Sequence, residues 1–511
     1  MRLFQPLFAN VRRLNPRISY TDRTFDKDIR KIERRTRYVA DPLPFQDDPL
    51  RRRNRRYDGV DEDAAESEQP EKQPERTMLP IPYDVTPGNR FELINRIMCP
   101  LHIVTYENQL KMKYAGVKNI LRDFGRRVKA SGRTSLIVDS QNLPCPLEYT
   151  KKSPKIVEYR NKDEFSLWPG LDGNPKTVGF FIGQPSHHSN VVCVEPDHLI
   201  ITKKSHRKIA SYFQHYLRNV SPLDVCLNFS EGGNWRRFVV RSNELGEHMI
   251  VGQLHPQDLT ADQMEQEKRR MTDFFQSLAD ELGVRSAYLQ SMRTSRSLGI
   301  DSQCHHLFGD KWLNETLLEK KFSISPDSFF QVNTLAAEVL YNAVMDELAV
   351  TKDMTVIDLC SGTGTLAVLL APHVRRVIGI EMNGQAVADA NRNAELNGIR
   401  NVQFIQGTAE DVMQSLKEQF FGQKVVMIAN PGRAGLRSSV IAAIREMDVV
   451  QKLVYISCKP TGDALKNFFH LCSSPSGSNP GSPLLPVNAI PVDMFPQTDH
   501  VELVLTFERF V

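Results

Sequence analysis

The sequence of 511 residues lacks any apolar run near the ~18 residues that a bilayer-spanning helix requires, so no membrane segment is predicted. Its eight cysteines form no Cys-x-x-Cys pair and no Cys/His cluster at zinc spacing, and they are sparse for a disulfide scaffold. A large excess of one charge is also absent, because 65 Lys and Arg stand against 61 Asp and Glu. We therefore expect a reducing compartment, no metal, and contact with nucleic acid only through local basic patches.

The first 20 residues contain four arginines and no acidic residue, and apolar side chains recur every three or four positions. Such an amphipathic start is typical of a mitochondrial transit peptide, whereas a secretory signal needs an uninterrupted apolar core. A docking helix or a frayed terminus is the alternative. Residues 21–78 mix charge blocks with almost nothing apolar, which predicts a disordered linker. We therefore assign residues 1–80 to a transit peptide and a linker.

The rest of the chain divides into two regions that differ in their pattern of apolar residues. Residues 81–315 combine short alternating runs with helical periodicity near 106–124, 205–218 and 261–282, which predicts an α+β domain. The runs are TSLIVDS, KTVGFFIG, NVVCVEP, DVCLNFS, RRFVVRS and HMIVGQL. Residues 316–511 repeat apolar strand, turn and helix, which predicts an α/β doubly wound parallel sheet. The last two runs, NAIPVDMFPQT and HVELVLTF, are joined too closely for a parallel crossover and predict an antiparallel hairpin at the sheet edge.

The loop DLCSGTGT, residues 358–365, follows a buried strand and opens a helix. Gly362 and Gly364 let a ligand approach the backbone closely, at the carboxyl ends of the strands. Glu381 ends the next strand, where a carboxylate can accept hydrogen bonds from both ribose hydroxyls. These features predict a nucleoside cofactor. Nicotinamide and flavin enzymes share them, and a purely structural turn is the other alternative.

Four segments resemble, in order and spacing, those of the RNA uracil-5-methyltransferase family, above all its animal mitochondrial branch. They are FSISPDSFFQVNTLAAEVLY, ANPGRAGL, VYISCKP and PVDMFPQTDHVELVL, and EYRNKDEF and CHHLFGD extend the resemblance upstream. The resemblance implies a class I methyltransferase fold preceded by an RNA-binding domain. It also implies S-adenosylmethionine as cofactor, with no metal and no iron–sulfur cluster, and C5 of an RNA uridine as the site of methylation.

Methylation at C5 of uracil requires a nucleophile that adds to C6 and a base that removes the C5 proton, because C5 alone is a poor nucleophile. Cys458 follows the strand LVYIS, where position alone fits a buried structural cysteine equally well. Glu502 alternates with apolar neighbours in HVELVLTF, which by itself indicates a solvated strand carboxylate. The resemblance implies instead that Cys458 is the nucleophile and Glu502 the proton acceptor, with His500 as a supporting group.

The resemblance also assigns the binding residues. It implies that Gln331 contacts the methionine part of the cofactor, beside Gly362, Gly364 and Glu381, and that Asn430 lies nearby. Most of the family has Asp-Pro-Pro-Arg where this chain has Asn-Pro-Gly-Arg, although the mitochondrial branch shares the Asn. An Asn keeps a carbonyl acceptor but removes a negative charge.

The residues expected to contact RNA are Tyr159, Arg160, Asn161, Lys162 and Arg433. Further basic groups that extend this surface, unless they form an ordinary solvated face, are Lys203, Lys204, Arg207, Lys208, Arg236 and Arg237. The expected partner is transfer RNA or mitochondrial small-subunit ribosomal RNA in the matrix, and the sequence does not choose between their single-stranded loops. No membrane and no obligatory protein partner is expected.

Two rival functions remain open. A cytosine-5-methyltransferase would place a cysteine in the turn at residues 430–433, which has none. An RNA-folding protein that keeps the fold but little chemistry is motivated by Asn430, and the presence of Cys458 and Glu502 argues against it.

We predict that the Arg-rich start directs import into mitochondria. Residues 1–45 fused to a fluorescent reporter should carry it into the organelle, and replacing the four arginines of residues 1–20 by Gln should abolish import. A uniformly cytosolic signal from the unaltered fusion would contradict the prediction.

Overall fold

The computed structural model describes residues 84–132, 138–183, 191–227, 232–292, 302–420, 422–477 and 479–510, and the transit peptide and linker predicted at residues 1–80 lie outside them. The described residues belong to one compact unit. Within these ranges, no helix combines the length and the apolar composition needed to cross a bilayer. Nor do three His, Cys, Asp or Glu side chains of the described ranges cluster as metal ligands would. The absence of a metal stays a prediction.

The N-terminal part is a seven-stranded sheet with helices. Its strands are β1 (Lys162–Trp168), β2 (Thr177–Ile182), β3 (Val192–Val194), β4 (Trp235–Ser242), β5 (His248–Leu254), β6 (Val284–Met292) and β7 (Ser302–Gly309). Its order is β3-β2-β1-β4-β5-β6-β7, antiparallel except between β5 and β6. The helices of this region are α1 (Arg90–Met98), α2 (Tyr106–Ser131), α3 (Lys204–Asn219), α4 (Ala261–Ser277) and α5 (Ala279–Leu282).

The pattern of apolar residues explains how this sheet is covered. Helix α3 buries Ile209, Phe213 and Leu217, which recur every four residues and therefore share one helix face. Phe213 stacks on Phe238 of β4, with ring centroids 3.8 Å apart. The α+β prediction is confirmed. The described part of the run DVCLNFS, residues 224–227, forms no strand, because Val225 makes only an isolated bridge there. The run TSLIVDS lies mostly outside the described residues.

The C-terminal part is a second seven-stranded sheet. Its strands are β10 (Met354–Leu359), β11 (Arg376–Glu381), β12 (Val402–Gln406), β13 (Lys424–Ala429), β14 (Val450–Ser457), β15 (Leu485–Val492) and β16 (Glu502–Glu508), after a hairpin of β8 (Leu313–Leu317) and β9 (Lys320–Ile324). The order is β12-β11-β10-β13-β14-β16-β15. Its helices are α6 (Thr334–Leu348), α7 (Thr365–Leu370), α8 (Gly384–Leu396), α9 (Ala409–Leu416), α10 (Ser438–Glu446) and α11 (Asp463–Cys472), with short 3₁₀ helices at Ala371–His373 and Lys417–Phe420.

This topology confirms the doubly wound sheet and its terminal hairpin. The five neighbouring strands β12, β11, β10, β13 and β14 are parallel. Strand β16 lies between β14 and β15 and is antiparallel to both. Hydrophobic cores cover both faces of the sheet. The polar and apolar alternation at the chain end therefore does not mark a solvated face, because β16 is buried from Glu502 to Phe507.

Helix α2 departs from the predicted domain division. It falls within residues 81–315, yet its apolar face, including Leu121 and Phe124, belongs to the core of the second sheet. The hairpin of β8 and β9 also crosses the predicted boundary at residue 315. The two parts consequently share packing that no single sequence position separates.

A buried ion pair joins α2 to the turn between β15 and β16. Lys113 Nζ lies 2.5 Å from Asp493 Oδ1, and both side chains are almost fully buried. The ammonium also donates to the Phe495 carbonyl at 2.9 Å. Burial lowers the pKa of Lys113, while the Asp493 charge opposes that shift. The attraction to Asp493 therefore compensates part of the desolvation of the ammonium.

We predict that Lys113→Met lowers the free energy of unfolding by about 3–5 kcal/mol, because it leaves the Asp493 charge buried without its partner. Urea unfolding followed by circular dichroism measures the change. Lys152→Met is the matched control, since the pair between Lys152 and Glu107 is exposed and should contribute at most about 1 kcal/mol. Equal effects of the two substitutions would contradict the prediction.

Candidate active site

The loop after β10 turns sharply through left-handed backbone. Cys360, Gly362 and Gly364 have φ values of 60°, 53° and 76°. A Cβ added at Gly364 would lie 2.6 Å from the Phe404 ring and 2.9 Å from Ala390, so only glycine fits between the helix and the sheet. A Cβ added at Gly362 would meet nothing within 4 Å. Gly364 therefore serves packing, and Gly362 leaves the backbone open to a ligand.

Glu381 stands at the end of β11 and faces this loop. Its Oε2 accepts a hydrogen bond from the Gly362 amide at 3.0 Å, and its Oε1 accepts one from the Asn383 amide at 2.9 Å. Each carboxylate oxygen has a second lone pair, so the group can still accept hydrogen bonds from a ligand. Glu381 thus both shapes the glycine turn and presents acceptors beside it.

Two buried polar atoms near the turn lack a partner within the described part of the chain. They are Ser361 Oγ and Asp358 Oδ2. Burial, followed by the nearby Glu381 charge, raises the pKa of Asp358 to about 7. Orphaned buried polar atoms are rare in proteins. Together with the open Gly362 backbone and the Glu381 acceptors, they fit a polar nucleoside cofactor such as S-adenosylmethionine.

Gln331 lies at the start of the segment that leads into α6, and its side chain is buried. It hydrogen-bonds the Tyr341 hydroxyl, and burial, then the Asp358 and Glu502 carboxyls, raise the pKa of Tyr341. Tyr341 therefore lies within electrostatic range of both Asp358 and Glu502. Sequence analysis missed this residue, although its place in the segment shared with the family offered a signal.

Cys458 and Glu502 are brought together by strand pairing. In the antiparallel ladder of β14 and β16, Ser457 pairs with Leu503. Continuing that register by one residue sets Cys458 opposite Glu502. Cys458 remains partly exposed, whereas Glu502 is only 4% exposed. The solvated carboxylate that its alternation indicated is thus a buried group, at the start of the strand that pairs with the one leading to Cys458.

Arg433 and His500 complete this cluster. Burial raises the pKa of Glu502 to about 7, and Arg433 opposes that shift. The pKa of the Cys458 thiol is raised by burial and by the Glu502 charge, again against Arg433. Burial lowers the pKa of His500, so its imidazole is neutral near pH 7. With His500 neutral, Arg433 supplies the positive charge that favours ionisation of both Cys458 and Glu502.

Asn430 follows β13 next to the end of β10, and its backbone amide donates to the Leu359 carbonyl at 3.3 Å. It therefore sits at the shared carboxyl edge of the parallel strands, where ligands of such sheets bind. Its side chain is partly buried. The structure brings Asn430 to the same edge as the glycine turn.

The run from Tyr159 to Lys162 does not form one RNA-facing surface. The Tyr159 hydroxyl donates to the Pro496 carbonyl at 3.1 Å, and Asn161 Nδ2 donates to the Gln331 carbonyl at 2.8 Å and to Thr334 Oγ1 at 2.9 Å. Both side chains are buried. These two side chains join the N-terminal sheet to the site, and their contact with RNA stays a prediction.

Arg160 and Lys162 stay partly exposed, but each has an acidic neighbour. Arg160 Nε lies 2.7 Å from Asp163 Oδ1, and Lys162 pairs with Glu164. Four of the further basic groups, Lys203, Arg207, Lys208 and Arg237, also form ion pairs. Much of the predicted basic surface is therefore neutralised locally.

Comparison with known proteins agrees with this geometry. A family model described as "Methyltransferase domain" matches residues 350–462. The solved structure of the Pyrococcus abyssi tRNA (uracil-54, C5)-methyltransferase in complex with S-adenosyl-L-homocysteine covers 81% of this chain and 86% of its own, with a TM-score of 0.58 and 22% identity. The fold is that of a class I methyltransferase.

The sequence relatives define the family. The tRNA (uracil-5-)-methyltransferase homolog B of Homo sapiens is 40% identical over 429 residues, which are 83% of this chain and 85% of that protein. Homolog A of Mus musculus is 36% identical over 423 residues, 81% of this chain and 68% of that protein. The chain belongs to the tRNA (uracil-5-)-methyltransferase homolog family and is an S-adenosylmethionine-dependent RNA uracil-5-methyltransferase.

We predict that Glu381→Ala weakens S-adenosylmethionine binding by roughly 1.5 to 3 kcal/mol, the range for hydrogen bonds to a charged group. Calorimetric titration measures the affinity. Glu395→Ala, on the exposed face of α8, is the control and should bind as the parent does. An unchanged affinity in Glu381→Ala would refute the assignment.

Proposed function

We propose that the protein methylates C5 of a uridine in a single-stranded loop of transfer RNA, through a covalent bond between Cys458 and C6 of the base. The observation that carries the proposal is the strand register, in which Ser457 pairs with Leu503 and which, continued by one residue, brings Cys458 opposite Glu502. The printed names of the relatives support transfer RNA as substrate. A uridine in mitochondrial small-subunit ribosomal RNA is the second candidate, since it offers a similar splayed-out base.

We propose the mitochondrial matrix as the location, because the first 20 residues are Arg-rich, acid-free and amphipathic.

Nucleoside analysis of organelle RNA after loss of the gene distinguishes transfer RNA from small-subunit ribosomal RNA as the substrate. Loss of 5-methyluridine from transfer RNA alone supports the proposal, and loss from ribosomal RNA alone contradicts it.

Cys458 begins the reaction in the proposed mechanism. Its thiol proton leaves to solvent, which the partial exposure of Cys458 permits, and Arg433 stabilises the thiolate beside it. The thiolate sulfur bonds to C6, and the C5–C6 π electrons move toward the C4 carbonyl as an enolate. When bound, the cofactor would supply an electrophilic methyl group, which the enolate takes at C5 while the bond from that methyl group to the sulfonium sulfur breaks and leaves its electron pair on the sulfur.

Glu502 completes the reaction. Its carboxylate removes the proton from C5, the electron pair restores the C5–C6 double bond, and the bond between sulfur and C6 breaks. The group is buried and next to Arg433, so water does not compete for its lone pairs. Asn430, without a negative charge, leaves the Arg433 cation to these two acids. The presence of both groups disfavours a protein that only folds RNA.

We predict that RNA carrying 5-fluorouridine at the target traps the protein. After the methyl group has been transferred, C5 holds fluorine and no proton, so Glu502 cannot release the base and the complex should survive a denaturing gel. Cys458→Ala should form no complex, whereas Cys304→Ala, which removes another partly exposed thiol outside the glycine turn, should form it as the parent does. Glu502→Gln should accumulate the complex on ordinary uridine RNA.

A complex formed by Cys458→Ala would show that the nucleophile is a different residue. Normal methylation by the parent without any trapped complex would refute the covalent mechanism. Failure of the parent to methylate any RNA would instead overturn the proposed function itself.

We predict that release of the methylated base slows as the pH falls through about 7. An exposed Glu is ionised above its ordinary pKa near 4.5, but the raised pKa of Glu502 keeps it protonated, and unable to accept a proton, up to about pH 7. Adduct formed at pH 8 and jumped to pH 6 should resolve roughly tenfold more slowly, as quench-flow measures. The residual rate of Glu502→Gln should lack this dependence, and an equal parent rate at both pH values would contradict the prediction.

A further inference from the structure

A cavity of about 400 Å³ lies between the N-terminal sheet and the segment that precedes α6. Its lining includes the cations of Arg160, Lys162 and Arg241, the carboxylates of Asp163 and Glu164, and the rings of Phe180, Phe329 and Phe330. None of Cys458, Glu502 and Arg433 lines it. The cavity is thus distinct from the cluster that carries the proposed chemistry, and it combines cations with aromatic rings.

Two of the cations face each other across neighbouring strands. Lys162 of β1 and Arg241 of β4 are directly paired in the antiparallel ladder, so their side chains extend from the same face. Like charges in this position are destabilising. Burial lowers the pKa of Lys162, and the Arg241 charge lowers it further. The Glu164 carboxylate, which pairs with Lys162 and also attracts Arg241, offsets part of this repulsion, and a further anion between the two cations would offset more of it.

Arg241 is only partly satisfied. It is 2% exposed, and its guanidinium donates to the Ser328 carbonyl, but its Nε has no hydrogen-bond partner among the described residues. Lys162 has Glu164 as an ion-pair partner, whereas no ion pair within the described ranges neutralises Arg241. A buried guanidinium with an unused donor is a strong site for a phosphate oxygen.

Phe329 supplies the aromatic side of the cavity. It is 66% exposed, while Phe330 next to it is buried. The Phe329 carbonyl accepts a hydrogen bond from Thr363 Oγ1 at 3.5 Å, which ties this segment to the glycine turn. An exposed ring beside a basic cavity matches the way proteins stack single-stranded bases.

We infer that this cavity binds one nucleotide of the RNA substrate other than the uridine that is methylated, with its phosphate at Lys162 and Arg241 and its base on Phe329. The inference rests on the proposed function, because it takes RNA as the substrate. It makes the cavity a specificity site: a loop that delivers a neighbouring nucleotide here also sets the target uridine over Cys458. The required spacing between two splayed nucleotides then selects the RNA.

The test is an abasic scan of a transfer RNA T-arm hairpin, with affinity measured by fluorescence anisotropy. With the parent protein, removing the base at one position other than the target should weaken binding about 5- to 100-fold, the range for loss of one stacked base. Phe329→Ala should lose affinity by a similar factor and become insensitive to removal of that base alone. Phe510→Ala is the matched control, because Phe510 has the same 66% exposure.

The phosphate side is tested by Lys162→Met, which is safer for folding than a change at buried Arg241. In this variant the logarithm of the RNA affinity should fall less steeply with the logarithm of the salt concentration. The slope should decrease by about one, because one phosphate contact fewer releases about one counterion fewer. Arg400→Gln, at an exposed position, should leave the slope as in the parent. Binding of S-adenosylmethionine should be unchanged in Phe329→Ala and Lys162→Met, which separates this site from the cofactor site.

Three results would overturn the inference. The parent and Phe329→Ala could respond identically to every abasic position, the sensitivity could lie at the target uridine alone, or inorganic phosphate could bind in a Lys162-dependent manner while no RNA position matters. In each case the parent still methylates the intact hairpin. Loss of methylation by the parent itself would count against the proposed function and is therefore distinguishable.

Discussion

The antiparallel entry of the last strand is the constraint on which the site depends. The carboxyl ends of parallel strands all lie at one edge of the sheet, and Cys458 follows the carboxyl end of β14 at that edge. An antiparallel neighbour starts at that same edge, and β16 therefore delivers Glu502 by its amino end. A slip of one residue in this ladder would turn Glu502 to the opposite face of the sheet. Register, rather than any flexible loop, sets the two groups opposite each other.

The N-terminal part holds this register and the cofactor segment in place. The turn between β15 and β16 is bound by Lys113 at Asp493 and by the Tyr159 hydroxyl at Pro496. Asn161 binds the Gln331 carbonyl at the start of the segment leading into α6. A region expected only to contact RNA thus also positions both halves of the site, because its buried polar groups find their partners across the boundary between the two sheets.

The sequence was informative where local pattern and topology decide the structure. Continuous apolar strands and the turn at Gly362 and Gly364 required only periodicity and backbone freedom, and the fold confirms them. The burial of Glu502 could not be predicted from alternation, because both faces of the sheet are covered by helices that are distant in sequence. The roles of Tyr159 and Asn161 were similarly hidden, since a Tyr or Asn reads the same in sequence whether it faces RNA or a carbonyl of another segment.

Electrostatic coupling gives the proposed steps an order. While Cys458 is a thiolate, an ionised Glu502 would repel it, and one Arg433 cation cannot fully compensate two neighbouring negative charges, of which that of Glu502 is buried. A protonated Glu502 therefore favours the attack on C6. Once sulfur is bonded to carbon it carries no charge, the repulsion is gone, and Arg433 is left to Glu502 alone. The carboxyl can then lose its proton, so the base becomes available at the step in which C5 must be deprotonated.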